Sequence, residues 1–452
     1  MKSFNTEVAI LGGGIIGIAT AYYLKKRSPS CKVTLVEQNQ FMAFTSAQSG
    51  ENYRNWWPHQ TMKAFTEHSI KLMEDIAIES NERINMTRRG YVLTTRNDDI
   101  NGIIKELEYS YGPDNNHLIR HHGHTHINTY QPPHSERWQD APKGVDVLQD
   151  KQLIQEVFPN FSPEIRSIIH IRQAGMLDSQ QMATFMLDKF RALGGERILA
   201  KVTSIEKQQK FTVYLTDKQQ VIADKVVNAC GPFVAEIAQM LDIKLPVKNI
   251  LQQKIAFPDV KKAIPRVQPF SIDLDEQYLD WDKDERQLLA ADDEFKWLTD
   301  KLPGSIHCRP EGGDKGNWIK LGWAFNEQEA KAIMQPQLDE HYPDIVLRGA
   351  AKLNPALKSY YGQLPRNTVH YGGYYTTTEE NWPLIGETEV EGFYINGAMS
   401  GFGTMAACAA GELCTQWLLQ EELPEYADEL SLKRYNNPDF IKQLKKYDKG
   451  IL

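Results

Sequence analysis

Cysteine is scarce in this chain and scattered. The 452 residues hold five, Cys31, Cys230, Cys308, Cys408 and Cys414, and no pair forms C-x-x-C. That argues against a disulfide framework and for reduced thiols in the cytoplasm. Long apolar runs are missing too. Mean hydropathy is −0.49, and no stretch approaches the roughly 20 residues of a membrane span. The apolar run from Val8 to Leu24 carries four glycines and follows a single cation, Lys2, so it is a poor signal segment. No block of Lys and Arg stands out, and 51 basic against 59 acidic residues give a net charge of −8. Such a chain is not expected to bind nucleic acid. No internal repeat or low-complexity tract is found. With 41% hydrophobic and 24% charged residues, fibrous and disordered chains are excluded as well. The length suits about three domain-sized units.

What is present begins at the N-terminus. Glu7 to Leu11 reads as a strand, Ile15 to Lys26 as a helix stopped by Ser28-Pro29-Ser30, and Lys32 to Glu37 as a second strand. Gly12-Gly13-Gly14-Ile15-Ile16-Gly17 joins the first strand to the helix. The first glycine permits a tight turn. Gly14 lets backbone approach a pyrophosphate, and Gly17 lets helix and strand pack closely. The helix N-terminus offers unpaired amides to the phosphates. Glu37 lies 20 residues past Gly17, where an acid meets a ribose hydroxyl. An acid there disfavours a 2′-phosphate but leaves FAD and NAD both open.

Three more segments follow. Thr45-Ser46-Ala47-Gln48-Ser49-Gly50 suits a chain lying along a second phosphate and a ribityl arm, and Arg54 comes just after it. Val226 to Pro232 is a buried strand ending in a small-residue turn. Asn381 to Gly386, then Gly397-Ala398-Met399-Ser400-Gly401-Phe402-Gly403, leads into a helix over Thr404 to Leu419. Between them the pattern predicts helices at Met62–Ala77, Ser179–Leu193 and Asp293–Leu302. Strands are expected at Tyr91–Thr95, Lys201–Glu206, Phe211–Thr216, Lys225–Asn228 and Tyr394–Asn396. Tyr111 to Asp140 reads as a loop, and the Lys-rich tail from Lys433 as a surface extension.

In this order, the segments resemble the FAD-dependent D-amino-acid-oxidase-type oxidoreductases, particularly the sarcosine oxidase and dimethylglycine dehydrogenase branch. Gly175-Met176-Leu177-Asp178 is similar to the family's segment before its second helix. The resemblance spans roughly residues 5 to 420. It implies an α/β fold with a Rossmann-type FAD-binding domain and a second, mixed-sheet α+β substrate domain. The FAD-binding domain is expected from 1–90, 151–239 and 366–425. The substrate domain is expected from 91–150 and 240–365, with 426–452 as a C-terminal extension. Cofactor contacts are implied at Gly12, Gly14, Ile15, Ile16, Gly17, Glu37, Gln38, Thr45, Ser46 and Val202. Ala229, Gly231, Gly401, Phe402, Gly403 and Thr404 complete the set.

Two residues are implied to act in catalysis. Lys320, in Trp318-Ile319-Lys320-Leu321-Gly322-Trp323, matches a family lysine that contacts flavin through water and promotes reaction with oxygen. Alone, a strand lysine more often faces solvent. Arg54 matches an arginine beside the active site that can hold a substrate carboxylate. Two departures matter. Gly373 to Thr378 has no cysteine and Thr45 to Ser49 no histidine, so the FAD is expected to be noncovalent. Met405 stands where sarcosine oxidases carry a carboxylate-binding lysine. Trp56-Trp57 and Tyr374-Tyr375 could form an aromatic cage for a cationic amine, although such aromatics are more often core. Among six histidines from His117 to His134, His122, His124 and His126 could share a strand face. A solvated loop is the favoured reading there, and no metal is expected.

The expected activity is oxidation of the C–N bond of a secondary amine or amino acid by hydride transfer to flavin. Imine hydrolysis follows, and oxygen or an electron carrier takes the electrons. The alternatives are a flavin dehydrogenase of a 2-hydroxy acid or polyol phosphate, a flavin-binding subunit of a hetero-oligomeric oxidase, and an NAD-binding Rossmann protein. The partners expected are a small amine or amino-acid substrate and an electron acceptor. Neither a nucleic acid nor a membrane is expected.

Overall fold

A computed structural model describes residues 2–123, 130–133, 137–313, 315–446 and 449–450. Two sheets organise them. The first has eight strands. Its centre is Lys2–Leu11, parallel to both Val33–Glu37 and Gln219–Asn228. Ala9, Ile10 and Leu11 are fully buried, as both-faces-covered parallel strands require. Glu196–Leu199 extends one edge. On the other side, Phe211–Leu215 and Val202–Lys207 form an antiparallel meander. The end of Gln219–Asn228 also pairs in parallel with Phe393–Gly397.

Helices Ile15–Arg27 and Gly403–Leu419 cross beside this sheet. Small residues allow the close crossing. A Cβ added at Gly411 would sit 2.7 Å from the Ala19 backbone. The alanine-rich stretch Ala406 to Ala410 is buried for the same reason.

The second sheet has nine strands in the spatial order Val369–Thr377, Lys248–Pro258, Trp318–Gly322, Ile306–Glu311, Phe270–Asp273, Tyr91–Thr95, Ser167–Ile171, Val145–Leu148, Ile119–His122. It is mixed, and helix Tyr342–Leu353 buries its apolar face against it. Ser167–Ile171 and Val369–Thr377 come from segments expected in the first domain, yet both hydrogen-bond here. Sheet membership depends on pairing partners far away in sequence, which local pattern does not reveal.

Three expectations need correction. The acidic helix lies at Lys283–Ala291, not Asp293–Leu302. Asp282 and Glu285 form a capping box that starts it, and only a 3-10 turn over Lys296–Thr299 follows. Within Tyr111–Asp140, Ile119–His122 is a strand parallel to Val145–Leu148. The Lys-rich tail is not a surface extension. Arg434 is 3% exposed and pairs with Glu380 at 2.6 Å, and helix Pro438–Leu444 follows. Among the described residues no helix is long and apolar enough to cross a membrane.

Candidate active site

A cavity of about 510 Å3 opens at the carboxyl ends of the first sheet's parallel strands, where α/β sheets bind ligands. Every residue expected to contact the cofactor lines it, except Gly17 and Phe402. Gly17 serves packing instead: a Cβ there would lie 1.9 Å from the Gly12 carbonyl oxygen. Gly12 itself has φ +104°, and a Cβ would meet the Ala229 carbonyl at 2.4 Å. Phe402 lines a second, smaller cavity.

The local hydrogen bonds explain the shape. The Gly13 amide donates to Glu37 Oε2 at 2.7 Å. The Ile15 amide, at the helix start, donates to Ser46 Oγ at 3.0 Å. Ser49 and Thr404 share a hydrogen bond of 2.7 Å, tying the segment after the second strand to the last long helix. Thr45 Oγ1 is buried and finds no partner among the described residues. A Cβ at Gly401 would strike the Tyr375 ring at 2.5 Å. Amides at a helix start, an acid at the strand end, an orphan hydroxyl and a cradle kept open by glycine all fit a dinucleotide such as FAD.

Several lining residues were not foreseen. Lys331 to Met334 approach from the second sheet's side. The Ile333 amide donates to the Tyr374 hydroxyl, and Gln38 reaches Met334. These contacts come from a loop with no motif, and no sequence signal marks it.

The second cavity, about 80 Å3, shares Ser49, Gly50, Lys254, Tyr375 and Thr404 with the first. Arg54, Trp57, Tyr91, His307, Asn381 and Gly450 also line it. Arg54 is 3% exposed. Its guanidinium lies over Trp57 at 4.9 Å and donates through Nη2 to the Gly450 carbonyl at 2.6 Å. Asn381 donates to the Lys449 carbonyl at 2.8 Å. So the tail closes this end of the site, with Gly450 against the Trp57 ring. Trp57 and Tyr375 reach this cavity, Tyr374 lines only the larger one, and Trp56 belongs to packed surroundings.

One face of the second sheet supplies the charges. In its register Lys254 and His307 both stand opposite Gly322, while Arg309 stands opposite Lys320. Directly opposed residues point the same way, so all four share a face. Gly322 is obligatory, because a Cβ would lie 2.3 Å from the His307 ring. Lys320 is buried and 3.0 Å from Glu311, with Glu51 at 3.9 Å. It does not line either cavity. Burial, then the neighbouring Arg309, lowers its affinity for a proton, against the pull of Glu311 and Glu51. Glu311 is pushed up by burial, but Arg309 and Lys320 prevail and hold it below the usual carboxylate range. His307 is kept neutral, with a pKa of about 3, first by burial and then by Lys254.

Lys254 is the residue that sequence reading missed. It is 8% exposed, lines both cavities and lies over the Tyr375 ring at 5.5 Å. Its one signal is a lysine inside the strand Gln252-Gln253-Lys254-Ile255-Ala256-Phe257.

The histidine-rich stretch behaves differently from a solvated loop. His122 is 8% exposed, with Nε2 2.8 Å from Asp146 Oδ1. Asp146 also accepts from Arg120 and Arg172. His124, His126 and His134 lie outside the described residues. Among the described residues no group of three or more His, Cys, Asp or Glu side chains is placed to hold a metal ion.

Comparison with known proteins gives a consistent picture. The signature of the family described as "DAO: FAD dependent oxidoreductase" matches residues 7–417. Human mitochondrial dimethylglycine dehydrogenase is 22% identical over 439 residues, covering 95% of this chain and 44% of that protein. L-2-hydroxyglutarate dehydrogenase of Indibacter alkaliphilus is 24% identical over 253 residues, 53% of this chain and 55% of that one. The chain thus spans about half the length of these curated relatives. In fold it is similar to L-proline dehydrogenase from P. horikoshii (TM-score 0.71, 18% identity, 96% and 99% of the two chains). Glycine oxidase from Geobacillus kaustophilus gives 0.70 at 16% identity, over 95% and 99%.

Proposed function

The chain belongs to the FAD-dependent oxidoreductases of the DAO family, and from that membership we propose that it oxidises the C–N bond of a secondary amine or amino acid. The observation that carries the proposal is the junction of the two cavities at Lys254 and Tyr375. There a dinucleotide-shaped space meets a small, cationic, aromatic-walled compartment. Bound FAD supplies the hydride acceptor. The residues of the chain bind and orient around it.

In this proposal the helix start at Ile15 and the segment Thr45–Ser46 take the phosphates, Glu37 a ribose, and Val202 the adenine side. Gly401 to Thr404 present amides toward the ring end. The binding is noncovalent. Arg54 holds the substrate carboxylate through a charge-assisted hydrogen bond. His307 stays neutral at pH 7, so it does not compete as a cation. Lys320, paired to Glu311 and Glu51, contributes positive potential that favours reoxidation by oxygen. The imine product hydrolyses to a carbonyl compound and a smaller amine. Five unpaired cysteines suit a reducing cytoplasmic setting.

The test is the visible spectrum of the purified holoprotein under anaerobic titration. N-methyl amino acids, D- and L-amino acids and 2-hydroxy acids are added in turn. Bleaching by an amine, reversed in air, supports the proposal. Bleaching by a hydroxy acid alone moves the assignment to the second reading, which the likeness to L-2-hydroxyglutarate dehydrogenase favours. No response from the lone chain points to a partner-dependent subunit.

A further inference from the structure

Lys254 stands where the two cavities meet, and lines both. Across the second sheet it lies in one row with Tyr371, Gly322 and His307, so these residues share a face. His307 is neutral at pH 7, and burial pushes the Tyr371 hydroxyl up, so Lys254 is the one cation of the row. The acids that reach this face are engaged one row away. Glu311 pairs with Arg309 and Lys320 at 2.7 and 3.0 Å, and Glu51 lies 3.9 Å from Lys320. Among the described residues no carboxylate comes within 4 Å of Lys254 Nζ. Yet the residue is only 8% exposed. Its stem passes Gly50, where a Cβ would lie 3.9 Å from Lys254 Cε, and its Nζ is 5.5 Å from the centre of the Tyr375 ring. That ring in turn covers Gly401, before the last long helix.

A buried ammonium without a counter-charge is costly, so its anion is to be sought in what fills the cavities. A flavin ring that accepts a hydride gains two electrons and one proton, and with them one negative charge. Charge placed near that ring tunes its electronics. We propose that Lys254 is the counter-ion of the reduced cofactor, its ammonium standing at the ring end of bound FAD and favouring the reduced, anionic ring. Lys320 lines neither cavity and has Glu311 beside it, so its charge is partly cancelled and it contributes less. The inference needs FAD but no amine substrate, so it and the C–N assignment can fail separately.

The test uses the oxidised holoprotein and sulfite, which adds to flavin with no substrate present. The sulfur lone pair bonds to ring nitrogen N5 and leaves a negative charge on the ring, with no proton or further reactant required. Affinity is read from bleaching of the visible band, and the midpoint potential from equilibration with a redox dye. Lys254→Met is expected to weaken sulfite binding about ten- to a hundredfold, the worth of one nearby charge at an effective dielectric of about 20. The same factor lowers the two-electron potential by about 30–60 mV. Lys254→Arg keeps the charge and stays within about threefold of the unaltered protein. Lys320→Met loses less than Lys254→Met. Unchanged sulfite affinity in Lys254→Met, or a greater loss in Lys320→Met, overturns the inference. So does weakened acetate binding with an unmoved potential, because Lys254 then anchors a substrate carboxylate instead. If Lys254→Met does not fold or retain flavin, the unaltered protein decides. Its midpoint potential is expected above that of free FAD, and a value at or below it overturns the inference.

Discussion

The two cavities are built from different materials. The larger is made of backbone and short side chains. Gly12, Gly14, Ser46, Ala229 and Gly401 shape it, and hydrogen bonds from the Gly13 and Ile15 amides to Glu37 and Ser46 hold that shape. The smaller is lined by the long charged side chains of Arg54, Lys254 and Glu51, and Glu51 leads on to the buried cluster of Lys320, Glu311 and Arg309. Backbone recognition needs close approach, so it tolerates no added atom. Charge recognition needs balance, so it tolerates reshaping but not the loss of one partner.

The sharpest way to break this contrast is Gly17→Ala. Its Cβ has nowhere to go, at 1.9 Å from the Gly12 carbonyl. The cost should exceed about 4 kcal/mol, and the protein should be recovered without yellow colour, measured as the flavin-to-protein absorbance ratio. Next is Glu311→Gln, which leaves Lys320 with Glu51 at 3.9 Å and takes from Arg309 its carboxylate partner. Breaking a buried pair this way costs about 3–5 kcal/mol, read as the urea midpoint. The double change Glu311→Gln with Lys320→Met should recover part of it, and no recovery would show that the two do not act as a pair.

The pH dependence comes third. His307 has an ordinary value of 6.5 and a folded value of about 3. The unfolded chain gains a proton there below pH 6.5 that the folded chain refuses. Stability is therefore full above pH 6.5 and falls as the pH drops toward 3, by up to about 4 kcal/mol. His307→Gln should flatten the slope of urea midpoint against pH in that window, and an unchanged slope counts against it. The smallest effect is expected for Asn381→Ala, which frees the Lys449 carbonyl at a cost of about 1 kcal/mol. Trypsin cleavage at the exposed Lys445 should quicken if Asn381 anchors the tail.

Legibility followed the same division. The position of the glycine turn, of Glu37 and of the glycine-led helix beside one cavity was readable, because a strand–turn–helix unit needs particular residues at fixed short spacings. Strand Tyr91–Thr95 and helix Ser179–Ala192 sat within a residue of their expected bounds, since alternation and helical periodicity are local. Lys254 was not readable, because a single lysine in a strand gives no hint of which face it takes. The tail was misread for a similar reason. Its lysines look solvated, yet Arg434 pairs with Glu380, 54 residues earlier, and Gly450 reaches Arg54 across 396.

By itself the sequence determined the unit from Glu7 to Glu37 that opens the first sheet, since strand, turn, helix and acid interact within some forty residues. Tertiary structure alone decided the charge pattern of the second sheet. Lys254, His307, Arg309 and Lys320 share a face only because three strands pair in one register, and a shift of one residue would turn any of those strands' side chains to the opposite face.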